Sequence, residues 1–135
     1  MSEDRRLRLD GLHHLTAISA DLDRTIAFYR DVLGLGIVRD GPSDDDPGAR
    51  HVWFGVGGEM VSFLEYPELP EGTIGRGSLQ HFALRVGSES ELQAWAAWLP
   101  SQGAPCTEVL RRGGFSSIYV RDPDGHIVEL ATPAA

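Results

Sequence analysis

Hydrophobic positions along the chain switch from strict alternation to helical spacing and back, and they do so twice in the same order. Leu12 to Ser19 reads as a strand, and Asp21 stands where a helix N-cap is expected. Leu22, Ile26, Tyr29 and Leu33 then fall at i, i+4, i+7 and i+11, one apolar helical stripe closed by Gly34. Leu35 to Arg39, His51 to Val56 and Glu59 to Tyr66 follow as strand-like stretches, the last two joined by Gly57-Gly58, a dipeptide suited to a tight hairpin.

The second pass opens with a strand from Leu79 to Val86 and continues into Ser88-Glu89-Ser90-Glu91, where Ser88 and Glu91 have capping-box spacing. Leu92, Trp95 and Leu99 supply the helical stripe, which Pro100 and Gly103 end. Cys106 to Leu110, Phe115 to Arg121 and His126 to Ala131 complete the set, with Asp122-Pro123-Asp124-Gly125 as a type I turn between the last two. The order βαβββ, repeated over about 11–67 and 79–131, predicts an α+β fold: paired βαβββ modules in a curved mixed sheet with helices on its outer face. The stretch from Pro67 to Ser78 is the linker, and residues 1–10 read as a frayed lead-in. At 135 residues the chain suits one domain, 1–135, because each repeat is too small for a core of its own.

Charge narrows the partners. The formal net charge of -8 argues against nucleic acid or an anionic membrane, since phosphate binding needs clustered cations. No run approaches the roughly 18 to 20 apolar residues of a membrane span, and MSEDRRLRLD lacks the apolar core of a secretory leader, so a cytoplasmic protein is expected. Asp44-Asp45-Asp46 lies between prolines and reads as a solvated loop. The single cysteine, Cys106, has no activating base in its neighbourhood of sequence and reads as an inert small residue.

Strand alternation separates helix-facing from cavity-facing side chains. With Phe82, Leu84 and Val86 toward the helices, His81, Ala83 and Arg85 face the cavity, and Glu129 is opposite in parity to Val128 and Leu130. With Leu15 and Ala17 toward the helices, His14 and Thr16 face the cavity, whereas Glu65 shares a face with Val61 and Phe63 and is ambiguous. His14 and Glu65 are 51 residues apart and His81 and Glu129 are 48 apart, so each half offers a histidine on its first strand and a glutamate on its last. Two imidazoles and a carboxylate leave open positions on an octahedral divalent metal, as Fe(II) oxygen chemistry or Lewis-acid catalysis requires.

Gly11-Leu12-His13-His14-Leu15-Thr16-Ala17-Ile18, Phe28-Tyr29-Arg30-Asp31-Val32-Leu33-Gly34-Leu35 and Asp122-Pro123-Asp124-Gly125-His126-Ile127-Val128-Glu129-Leu130 resemble the opening and closing motifs of vicinal oxygen chelate proteins. That superfamily includes glyoxalase I, extradiol dioxygenases, fosfomycin-modifying enzymes and bleomycin-sequestering proteins. The resemblance covers nearly all of residues 11–131. It implies metal ligands at His14, His81 and Glu129, with Glu65 where glyoxalase I has its other glutamate. His13-His14 with Leu15 to Ile18, the Asp45-Asp46-Pro47-Gly48 loop and the run from Arg112 to Tyr119 are similar to the ring-cleaving dioxygenases of hydroquinone-type substrates. There the residues matching His13, Arg112 and Tyr119 line the substrate pocket. Arg112 suits a phenolate, and His13 or Tyr119 suits proton transfer. In members of this length the resemblance implies a homodimer whose metal sites are shared between subunits. His51 and His126 are read as structural or exposed.

Three functions remain open at this point. The first is an Fe(II) ring-cleaving dioxygenase of a dihydroxy aromatic. The second is a glyoxalase-like lyase or isomerase using Ni or Zn, motivated by Glu65 as a fourth ligand, whereas Mn, also possible, would go with the first. The third is a bleomycin-resistance-type protein that binds a small aromatic molecule, for which Trp53, Trp95 and Trp98 speak, although Trp95 fits a helix core.

Overall fold

A computed structural model describes residues 6–133. Of the expected lead-in, residues 1–5 lie outside the described part, and residues 6–10 are exposed and without regular structure. Each half builds one four-stranded sheet. The first contains β1 (His14–Ser19), β2 (Gly36–Pro42), β3 (Arg50–Val56) and β4 (Glu59–Glu65) in the order β1-β4-β3-β2. The second contains β5 (Phe82–Arg85), β6 (Leu110–Arg111), β7 (Ser116–Arg121) and β8 (Ile127–Ala131) in the order β5-β8-β7-β6. In both sheets the first and last strands pair in parallel and the rest are antiparallel, so the repeated βαβββ order produces a repeated topology.

Helix α1 (Leu22–Ile26) starts where the Asp21 side chain accepts from the amides of Asp23 and Arg24. It widens into a π-helical stretch, Ala27–Val32, in which the Leu33 amide bonds the carbonyl of Phe28. The stripe Leu22, Ile26, Tyr29 and Leu33 is buried as its spacing predicts, and the wider turn also buries Phe28. Gly34, at φ +78°, closes the element.

Helix α2 (Glu89–Ser101) is capped by Ser88 and buries Leu92 and Leu99. Here the structure departs from expectation, because Pro100 lies inside the helix rather than ending it. A proline leaves the carbonyl four residues earlier without its donor. That carbonyl, on Ala96, takes the Cys106 thiol at 3.7 Å, which holds the cysteine in a packing role, and burial pushes the thiol pKa up. Strand β5 is shorter than Leu79–Val86 because the chain from Leu79 to His81 is exposed and unpaired in the sheet. The stretch from Cys106 to Leu110 is mostly irregular, with Cys106 bridging Val120 and β6 formed only by Leu110 and Arg111.

The core runs through both halves, from Leu22, Tyr29, Phe54 and Phe63 to Leu92, Leu99, Ile118 and Val128. A polar clasp at Asp122–Gly125 joins the halves. The Asp122 carboxylate accepts from the Tyr29 hydroxyl at 2.7 Å and pairs with His126 Nδ1 at 2.7 Å, while Asp124 accepts from the amide of Ala20 and the guanidinium of Arg24. Burial, then Asp122, raises the Tyr29 pKa well above the usual phenol value. No helix among the described residues is long and apolar enough to cross a membrane.

Candidate metal centre

The helix-covered face of each sheet carries the core, and the opposite face carries the candidate chemistry. In β1 the burial alternates, with Leu15 and Ala17 turned toward the helices and His14 and Thr16 turned away and exposed. In the second sheet Phe82 and Leu84 pack on the core, and Ala83 and Arg85 are exposed. Paired residues on adjacent strands share a face, so the register defines each row. Thr16 pairs with Ser62, and Ser62 pairs with Trp53. Ala83 pairs with Glu129, and Glu129 pairs with Tyr119. His14 and His81 each stand two residues before the first member of its row. The two halves therefore present equivalent open faces, with Ser62 where the other half has Glu129 and Trp53 where it has Tyr119.

His81, Glu129, Tyr119 and Arg112 come together in the second half. His81 Nε2 lies 2.9 Å from Glu129 Oε1, and His81 Nδ1 faces the Gln80 side-chain oxygen. The His81 ring meets the Tyr119 ring edge-on at 5.5 Å, and the Arg112 guanidinium donates to the Tyr119 hydroxyl at 2.9 Å. Glu129 is only 4% exposed, and its Oε2 is buried with no hydrogen-bond partner among the described residues. The Ser117 hydroxyl, two residues before Tyr119 on the same face, is likewise buried and unpartnered. An unpaired buried polar atom costs about 1 to 3 kcal/mol, more when charged. A cation beside Glu129 removes that penalty, and the 2.9 Å separation of His81 Nε2 and Glu129 Oε1 suits two ligands of one ion. The donor set fits a divalent metal.

The first half is organised differently. His13 and His14 meet through their Nδ1 atoms at 2.8 Å, and His14 packs edge-on against Trp53. Ser62, fully buried, bonds Thr16 at 2.7 Å and His51 Nε2 at 2.9 Å. Its polar group is satisfied within the half, unlike that of Glu129. Burial, then Arg39 and His14, lower the His51 pKa below the ordinary 6.5, against the opposing charges of Asp44 and Asp45.

Glu65 is separate from both sets. It pairs with Ser19 on the helix-facing side of β4, and its Oε2 accepts from the Leu22 amide at 2.7 Å, at the start of α1. The expected equivalence of Glu65 with Glu129 is corrected by the register: Ser62 lies 48 residues after His14, the same separation as Glu129 from His81. An offset of three is odd, and an odd offset moves a strand residue to the other face. His51, expected to be structural or exposed, lies on the open face beside Trp53, with ring centroids 4.6 Å apart. Its two-residue offset from Trp53 in an alternating strand was the available signal.

Within one chain the two halves of the set do not converge. Among the described residues, the three ligand atoms found within 4.8 Å of one another belong to Asp122, Asp124 and His126, and not to His14, His81 and Glu129. The Asp122 cluster is already engaged by Tyr29, Arg24 and backbone amides as the clasp between halves. An apolar hollow of about 540 Å³ between Leu35, Val56, Leu84 and Trp95 opens on the helix side, and no candidate ligand lines it.

Residues 11–130 match the sequence model of the family described as Glyoxalase/Bleomycin resistance protein/Dioxygenase superfamily. The chain is 33% identical over 106 residues to a Bacillus subtilis (strain 168) protein bearing the name ring-cleaving dioxygenase MhqE, covering 76% of this chain and 35% of that protein. It is 32% identical over 126 residues to the metallothiol transferase FosB of Staphylococcus saprophyticus, covering 92% of this chain and 78% of that one. A solved structure from B. subtilis, described as a dioxygenase, superposes with a TM-score of 0.82 at 30% identity over 92% of this chain and 41% of the other. The chain thus spans well under half the length of the dioxygenase relatives it matches.

Proposed function

The chain belongs to the glyoxalase/bleomycin resistance protein/dioxygenase superfamily, and from that premise we propose that it is an Fe(II)-dependent ring-cleaving dioxygenase of a dihydroxy aromatic. The proposed ligands are His14 of one protomer and His81 and Glu129 of the other, in a homodimer with two equivalent sites. The observation that carries the reading is Ser62 at the register position of Glu129, with Glu65 turned to α1. Three protein ligands would leave positions open on a six-coordinate ion for a chelating substrate, whereas a lyase site with two carboxylates would need a fourth protein ligand that Ser62 does not supply.

When bound, the metal supplies Lewis-acid polarisation of the substrate oxygens and the electron chemistry of O2. The protein's own groups prepare that chemistry. If His14 holds the ion through Nε2, its Nδ1 would carry the proton and donate to His13 Nδ1 across the 2.8 Å contact, which would fix both rings and leave an N–H on His13 Nε2. The Tyr119 oxygen accepts from Arg112, so its own proton is free to pass to or from a substrate oxygen. Arg112 favours the phenolate form of a substrate by its charge. The resemblance to FosB, of which this chain covers 78%, supports a second reading: addition of a low-molecular-weight thiol to a small phosphonate epoxide held by Arg112 and Tyr119, in which the S–C bond forms as the ring C–O bond breaks and the freed oxygen takes up the thiol's proton.

The test is anaerobic loading with Fe(II), followed by O2 uptake with a panel of catechols and hydroquinones, and a parallel incubation with fosfomycin and a low-molecular-weight thiol. O2 uptake matched by ring-opened product supports the dioxygenase. Thiol adduct without O2 uptake replaces it with the transferase.

A further inference from the structure

We propose that Trp53 is the wall on which the substrate's ring stacks, a specificity-determining residue that selects planar aromatic ligands, with His51 as the positioning residue that holds it. The inference rests on the dioxygenase reading and extends it to a side chain outside the proposed ligand and proton-transfer set.

Three observations carry it. The register puts Trp53 on the open face, in the row of Thr16 and Ser62, and equivalent to Tyr119 in the other half. The indole is held from two sides, by His14 at 4.8 Å with planes 64° apart and by His51 at 4.6 Å with planes 35° apart. His51 is itself fixed, since its Nε2 bonds the hydroxyl of fully buried Ser62, which bonds Thr16 in turn. An aromatic ring braced in this way loses little freedom when a ligand stacks on it, and Trp53 remains partly exposed. Its contact with His14 places it beside a proposed ligand, within reach of whatever occupies the metal's open positions. Offset stacking of two rings corresponds to about three- to tenfold in affinity. A chelator without a ring gains nothing from it.

The experiment uses the full chain loaded with Zn(II), which has no redox chemistry of its own. Wild type, Trp53→Phe and Trp53→Leu are titrated with 4-nitrocatechol, a planar aromatic chelator, and with oxalate, a chelator without a ring, and zinc content is measured for each. Trp53→Phe is expected to bind 4-nitrocatechol within about twofold of wild type and Trp53→Leu about three- to tenfold more weakly, with oxalate unchanged in both. Quenching of tryptophan fluorescence by bound 4-nitrocatechol is expected in wild type and largely lost in Trp53→Phe, since Trp95 and Trp98 sit on α2. If Trp53→Leu does not fold, this quench comparison decides.

Equal 4-nitrocatechol affinity in wild type and Trp53→Leu, or quenching that survives in Trp53→Phe, overturns the stacking role and leaves the dioxygenase reading standing. Loss of zinc, or of oxalate and 4-nitrocatechol alike, in Trp53→Leu also overturns it, because Trp53 then acts by bracing His14. A loaded wild type that does not bind 4-nitrocatechol overturns both the inference and the reading beneath it.

Discussion

The two halves share topology and register, yet at equivalent positions one carries Ser62 and Trp53 and the other Glu129 and Tyr119. In the first half the polar groups close on themselves through Thr16, Ser62 and His51. In the second, Glu129 Oε2 and Ser117 Oγ are buried and unpaired among the described residues. A protein keeps such atoms at a stability cost when a ligand is to meet them. Under the proposed function this difference is a division of labour: the second half offers His81, Glu129 and the Arg112–Tyr119 pair, and the first offers His14 and the Trp53 ring.

The largest effect expected from breaking this asymmetry is at Glu129. Glu129→Ala should abolish metal retention, measured by elemental analysis after desalting, while Ser62→Ala at the equivalent position keeps it. Next is Tyr119→Phe, which should lower kcat by about 100-fold with metal content unchanged, as loss of a proton-transfer group does. Equal kcat would remove Tyr119 from the proposed chemistry.

Glu65→Gln should leave metal content intact and reduce stability by about 1 kcal/mol, because it replaces a carboxylate at the N-terminus of α1 with a neutral group. Chemical denaturation and elemental analysis together check it. Metal loss in that variant would return Glu65 to the ligand set.

The smallest effect is at the clasp. The hydrogen bond to Asp122, and then the charges of Asp122 and Asp124, raise the His126 pKa above the ordinary 6.5, against the opposing effect of burial. A raised folded-state pKa contributes stability that is fully present below pH 6.5 and is lost as pH rises through the folded value. The Tm advantage of wild type over His126→Asn should therefore shrink between pH 5.5 and pH 9. A constant difference would mean that only the neutral hydrogen bond matters.

Periodicity made much of this legible. The alternation around Leu15 and Ala17, and around Leu84 and Val86, was enough to turn His14 and His81 away from the helices, and the Ser88 cap was readable from its spacing with Glu91. For Glu65 two signals conflicted: its parity with Val61 and Phe63 pointed to the helix side, where it lies, while counting residues between a histidine and a glutamate ignored strand register, in which three extra residues reverse the face. The π-helical turn that buries Phe28, and the Cys106 thiol that compensates Pro100, depend on contacts outside their own sequence windows. The two-residue offset puts His51 and Trp53 on one face of β3, but that this is the open face shows only in the pairing of Trp53 with Ser62.

The central claim, a metal held by His14 of one protomer and by His81 and Glu129 of the other, is tested most directly by mixing defects. His14→Ala and Glu129→Ala chains, with different affinity tags, are co-expressed, and the doubly tagged dimer is isolated and its metal measured. Each variant alone should retain none, and the mixed dimer should retain one ion per dimer, because one of its two sites has every ligand. A mixed dimer as empty as its parents would contradict the shared site.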